Sequence, residues 1–319
     1  MSTLAPRGLT WTVLRVHRRA LLISGAFLAL AAVALVWLRT EGQEAATSPT
    51  SCATPARPGV PLCDAAFFQA PLSDFPGDMS LAATVIAWLP LAVALYAGAV
   101  LFGGEMERGT ARLAWTQSMT PGRWFATKLV LPAVVITAGF SLLSLLYRWA
   151  RGSAPRRLSD RWYYADVFVA TGPAVLAYGL LALAVGALAG LLVRRALPAG
   201  GIALAVTGLV MVLCERWRSD FWTPVEQVWK NSRGELGNSA WQLDMGLITP
   251  SGRRIHDCLQ PGVPAPPGCY EARSARQWYA LHHPGDHFWP IQLVETGIVL
   301  ALAALATVLA FRVLRRHHA

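Results

Sequence analysis

The chain has 319 residues, of which 54% are hydrophobic and only 14% charged, with a formal net charge of +10. A soluble domain ordinarily carries about 25% charged residues, so this composition excludes an ordinary soluble enzyme and marks an integral membrane protein. The cations are almost all arginine, Lys128 and Lys230 being the only lysines. They sit mainly in short clusters beside apolar runs, so they orient helices, and no zinc-finger, RNA-binding or helix-turn-helix pattern accompanies them.

Near the N-terminus Arg15, Arg18 and Arg19 precede the apolar run 20–38. It exceeds the about 7–15 residues of a signal-peptide core and lacks a small-residue cleavage pattern, so it reads as a retained span. Crossing about 30 Å of hydrocarbon takes roughly 20 helical residues. Runs at 20–38, 81–103, 129–147, 167–193, 197–214 and 291–313 approach or exceed that length, the last interrupted by Gln292 and Glu295. Lipid offers backbone polar groups no other partner, so these runs must be helices. The expected fold class is all-α integral membrane with six transmembrane helices, and Gly179, Gly186, Gly190, Gly200 and Gly201 mark points of close helix approach.

Orientation follows from the cations of short loops. Arg7, Arg15, Arg18 and Arg19, then Arg108, Arg112, Arg123 and Lys128, then Arg194 and Arg195, and finally Arg312, Arg315 and Arg316 fall on one side of a six-span chain. Both termini are therefore expected in the cytoplasm of a cell-membrane protein. The loop with Arg148, Arg151, Arg156, Arg157 and Arg161 opposes this pattern, because six spans place it outside.

Two exterior loops result, 39–80 and 215–290. They hold Cys52 with Cys63 and Cys258 with Cys269, each pair eleven residues apart. An oxidising exterior permits local disulfides, while free thiols remain the alternative because sequence does not fix connectivity. Cys214 is left over as a small apolar residue. Trp217, Trp222, Trp229, Trp241 and Trp278 give the longer loop too many large aromatics for a solvated tail, so a structured subdomain is expected. His282, His283, Asp286 and His287 have metal-ligand chemistry, but Pro284 and Gly285 break any helix that would align them, and no metal site is assigned. Glu295, inside span six near its outer end, either bonds a neighbouring helix or lines a path.

The cytoplasmic loop 104–128 is the most informative stretch. Glu105, Glu107, Arg108 and Arg112 give a short helix with opposite charges at helical spacing. Trp115 and the polar run Thr116, Gln117 and Ser118 follow, then the turn Thr120-Pro121-Gly122, and Arg123 and Trp124 open the next span. Docking of a cytoplasmic partner and an ordinary interfacial loop fit these residues equally well.

The whole chain resembles the type-2 ABC exporter permeases, in their actinobacterial six-span form. The resemblance rests on Glu107-Arg108-Gly109-Thr110-Ala111-Arg112-Leu113-Ala114-Trp115-Thr116-Gln117-Ser118, then Arg123-Trp124 and Lys128. A second motif runs from His283-Pro284 through Phe288-Trp289 to Gln292, Glu295, Thr296 and Gly297. It implies an N-terminal interfacial helix and a coupling helix within 104–128 that seats in an ATPase subunit. Glu105, Glu107, Arg108, Gly109, Thr110, Arg112, Trp115, Gln117, Ser118 and Arg123 are the coupling residues so implied. It implies further a second permease copy or related permease, two ATPases that bind the ATP and magnesium, and outward transport of a hydrophobic or amphipathic substrate. The chain has no G-x-x-x-x-G-K-[ST] pattern of its own. No catalytic residue and no cofactor are assigned to it. The alternatives are a membrane-embedded hydrolase using Glu295 and the 282–287 cluster, and a non-transporting scaffold or immunity protein.

Overall fold

The computed structural model describes residues 18–47, 54–55, 58, 62–63, 75–110, 120–153, 161–230, 234, 236–237, 239–256 and 277–316. The elements in chain order are α1 (Arg18–Thr47), α2 (Phe75–Tyr96) running into a π-helical segment (Ala97–Gly103), and α3 (Gly104–Glu107). There follow α4 (Pro121–Arg151), α5 (Ala165–Thr171), α6 (Ala174–Val193), α7 (Ala196–Trp217), strands β1 (Val225–Lys230), β2 (Trp241–Ile248), β3 (Arg254–His256) and β4 (Gln277–His283), and α8 (Phe288–Arg316). Among the described residues six helical stretches are long and apolar enough to cross a membrane. The fold class is mostly-α integral membrane, as the apolar runs required.

The centre of the bundle is α6. About 78% of its apolar window is buried inside the protein, against 11% for α1 at the periphery. It packs against α2, α4, α7, α8 and the π segment, and its alanines and glycines supply the short side chains that let so many helices approach. A Cβ on Gly186 would collide with Ala97 and the backbone of Gly98, and one on Gly98 with the backbone of Ala199 and Gly200. The π segment, α6 and α7 therefore touch backbone to backbone.

The fourth span differs from the continuous helix expected over 167–193. It breaks at Gly172–Pro173 into α5 and α6, where proline cannot donate and the preceding residue is driven out of helical geometry. Asp166 ties the start of α5 to its neighbours: Oδ1 accepts from Val167 N at 2.9 Å and Oδ2 from Thr84 Oγ1 of α2 at 2.7 Å.

The loop between spans five and six contains a four-stranded antiparallel sheet of order β1-β4-β2-β3, with an irregularity in β2 between Gln242 and Asp244. Aromatic side chains moor it to the bundle. Trp162 donates from Nε1 to Ser239 O at 2.6 Å and packs edge-on against Trp241 and Phe288. Tyr163 stacks on Trp241. At the same end Arg39 of α1 bonds Trp149 O of α4, and Arg148 lies over Trp289 of α8. The arginine-bearing end of span three thus lies with the sheet, on the side that six alternating spans demand.

Residues 1–17, where an interfacial helix is implied, lie outside the described residues. So do Cys52, Cys258 and Cys269, and with them the pairings expected for Cys52–Cys63 and Cys258–Cys269.

Spans four and five join through a two-residue turn in which Arg194 adopts φ 55° at the end of α6. A side chain there strains the backbone by roughly 1–2 kcal/mol. Arg194→Gly is expected to stabilise the detergent-solubilised protein by about 1 kcal/mol, read as a raised melting temperature. Gly186→Leu, driven into the π segment, is expected to lower it by more.

Candidate functional site

The loop between spans two and three starts at the foot of the π segment and is pinned on two sides. Glu105 pairs with Lys128 of α4, whose ammonium is buried beneath the ring of Trp124 and donates to Leu101 O of the π segment at 3.4 Å. Glu107 accepts from the backbone N–H of Ala196 at 2.7 Å, capping the otherwise unsatisfied N-terminus of α7. Of the short helix read from charge spacing, the described residues show a turn at Gly104–Glu107 and helical geometry again at Thr110. Glu105 reaches across to another span instead of along its own helix, and Arg108 Nε folds back onto Gly104 O at 3.0 Å. Gly109 then turns the chain with φ 70°, and Thr110 Oγ1 closes the turn on Glu105 O.

Trp124 and Phe125 are buried in a cluster with Leu101, Phe102 and Leu314, and Phe125 meets Phe311 of α8 edge-on at 4.8 Å. Trp124 is thus packed inside the protein rather than at a headgroup, while Arg123 is exposed. Arg112, Trp115, Gln117 and Ser118 lie outside the described residues.

The intramembrane polar residues have equally definite partners. Gln292 seals the break in span four: its Nε2 donates to Phe168 O at 2.5 Å and its Oε1 accepts from Ala174 N at 3.2 Å. One amide side chain thus serves one carbonyl and one N–H that no continuous helix pairs. A Cβ on Gly172 would overlap the Gln292 amide and displace it from these bonds. Glu295 is wholly buried and paired with Arg218, which donates from Nε to Oε2 at 2.8 Å and from Nη2 to Oε1 at 3.1 Å. Tyr178 of α6 donates to Oε1 at 2.8 Å, and the guanidinium lies 4.1 Å over the ring of Phe168. The bond to neighbouring elements, one of the two roles open to Glu295, is formed.

Arg218 escapes sequence reasoning. The apolar run of span five ends at Cys214, which assigns Arg218 to the exterior loop. The signal that could have found it is the charge of Glu295 itself, which at that depth requires a cation within reach.

The histidine cluster joins the sheet to spans five and six. His283 Nε2 lies 3.0 Å from Ser219 O, which can only accept, so this nitrogen carries the proton. Its Nδ1, 3.0 Å from His287 Nδ1, then accepts from that ring. Trp241 and Trp222 flank the two rings. Among the described residues no group of His, Cys, Asp and Glu is arranged to hold a metal ion. Both oxygens of Glu295 and both nitrogens of His283, the groups of the hydrolase alternative, are engaged by the protein.

Removing Arg218 alone would strand a buried carboxylate. Arg218→Ala is expected to destabilise by about 3–5 kcal/mol, and Arg218→Met combined with Glu295→Leu by much less, both read by thermal unfolding in one detergent.

Burial holds the His283 imidazole below its ordinary range, reinforced by His287 and His282, while Ser219 O and Asp220 oppose the shift. The neutral form thus contributes stability that is complete above the ordinary imidazole range near 6.5 and is lost as pH falls through the lowered value. Hydrogen-exchange protection of the β4 amides, corrected for the intrinsic slowing of exchange in acid, is expected to fall as pH drops below the ordinary imidazole range near 6.5, and His283→Gln to flatten that dependence.

A family model described as ABC-2 membrane transporter related matches residues 25–218. The match runs through the first five spans and the loop between spans two and three, and stops at Arg218, before the sheet and span six. No curated protein and no solved structure matches the chain.

Proposed function

Because the chain belongs to the ABC-2 membrane transporter related family, we propose that this membrane permease is the spanning subunit of an ATP-driven exporter. A separate ATPase docks on its loop between spans two and three. The observation that carries the reading is the pair of clamps at the foot of the π segment, Glu105 to Lys128 and Glu107 to Ala196 N. They join the loop to spans three and five while it continues span two. A partner that changes shape with nucleotide and grips 111–118 would act on three spans through one short turn. Binding and hydrolysis elsewhere then shift the permease only through contacts that differ between two conformations.

In this reading Glu105, Glu107, Arg108, Gly109 and Thr110 shape and brace the loop. Arg112, Trp115, Gln117, Ser118 and Arg123 face the partner. A π segment suits such a movement, since π-helical turns are rare and are frequently found at functional sites. The chain carries no phosphate-cradling P-loop, which agrees with ATP and magnesium being held by the partner. Two permeases, identical or related, would enclose the path. The protein would lie in the cell membrane with both termini cytoplasmic, moving hydrophobic or amphipathic cargo outward.

The test replaces 111–118 alone with a Gly/Ser linker, keeping both clamps, and purifies the chain with the ATPase encoded beside its gene. The expected result is loss of the complex with an unchanged melting temperature. Retention of the complex at wild-type yield would contradict the docking assignment. Gly109→Pro, which cannot adopt a positive φ, is expected to leave insertion intact and abolish export.

A further inference from the structure

We propose that the sheet end of the bundle binds anionic phospholipid headgroups through a ladder of stacked arginine and tryptophan side chains. Three spans build it. Arg39 of α1 lies 4.2 Å over the ring of Trp149 and gives one Nη1 hydrogen to the carbonyl of that residue at 2.8 Å. The adjacent Arg148 of α4 lies 5.0 Å over Trp289, at the start of α8. Arg161, exposed just before the fourth span, donates from Nη1 to Tyr163 Oη at 2.8 Å.

None of these three arginines forms an ion pair among the described residues. Stacking occupies the face of a guanidinium and leaves its edge, with several of five N–H donors, free for a planar or tetrahedral anion. Arg148, Trp149 and Trp289 are all exposed. The nearest carboxylates along α1, Glu41 and Glu44, follow Arg39 by about 200° and 140° around the helix, away from its face.

The ligand is a lipid rather than a soluble anion because of the tryptophans. Indole rings at the end of a span seat at headgroup depth, so the guanidinium edges beside them meet phosphodiesters. Charge complementarity then accounts for a feature that orientation rules leave unexplained, arginines gathered on the end opposite the other cationic loops. The proposal depends on the six-span fold and not on which way the protein faces.

The experiment is native mass spectrometry of the full chain equilibrated with mixed phosphatidylglycerol and phosphatidylcholine. Wild type is compared with R39Q/R148Q/R161Q and with R312Q/R315Q/R316Q at the opposite end. The expected result is a severalfold loss of retained phosphatidylglycerol in the first variant, exceeding that in the second, with phosphatidylcholine unchanged. Equal losses in both variants, or no loss in the first, would overturn the proposal. Displacement of phosphatidylglycerol by excess inorganic phosphate would overturn the lipid assignment in favour of a free-anion site. R148Q alone, which leaves the Arg39–Trp149 contact in place, serves should the triple variant fail to fold. An epitope inserted after Ser153 and probed on intact cells reports the facing of this end separately, so a wrong orientation and an absent lipid site give different results.

Discussion

Inside a bilayer the backbone polar groups must find their partners within the protein and a buried charge must be paired, and the placement of the spans follows from that constraint. Three places in the bundle would otherwise be unsatisfied: the break in span four, the carboxylate of Glu295, and the start of α7. Each is met by a side chain from another span, namely Gln292, Arg218 with Tyr178, and Glu107. These bonds cross long stretches of sequence, and at the two buried places, Gln292 and Glu295, an unmade bond costs several kcal/mol. The bundle is consequently fixed in register by a few polar contacts set in a packing of small residues that would permit sliding.

The two ends of the protein divide the labour. At one end the sheet is moored by Trp162, Tyr163 and Trp241, and the Arg218–Glu295 pair locks the top of span five to span six. At the other, the π segment, α6 and α7 meet at glycines and alanines, and the loop is attached through two charged contacts. The sheet end is thus densely cross-linked by aromatic and ionic groups. The loop end holds the irregular helix geometry from which movement can start.

The six spans are legible in the sequence because uncharged apolar runs of about twenty residues match the thickness of a bilayer and recur six times. The break at Gly172–Pro173 is not, since the residues around it are as apolar as the rest and the amide that seals it lies 118 and 124 positions away in sequence. The density of tryptophan marks the loop 215–290 as structured. Strand β2 does alternate, with Trp241, Leu243, Met245 and Leu247 set between Gln242, Asp244 and Gly246, but β1 and β4 do not, so the sheet as a whole does not follow from the pattern. In the loop between spans two and three, Glu105 and Arg108 have the spacing of helix neighbours. The structure sends Glu105 to Lys128 because burying that lysine without a carboxylate would be costlier than leaving a solvated helix pair unmade. Arg218 is hidden for a related reason: a charged residue reads as the end of a span, and here its partner lies inside the next one.

The most direct test of the transport role is the ATP hydrolysis rate of the neighbouring ATPase, measured with and without this chain in the same vesicles. The wild-type permease is expected to change the rate. Charge reversal at Lys128 is expected to remove the effect, and Glu105→Lys with Lys128→Glu to restore part of it. A hydrolysis rate indifferent to the well-folded permease, across candidate ATPases, would contradict the claim that this chain is the spanning half of an ATP-driven exporter.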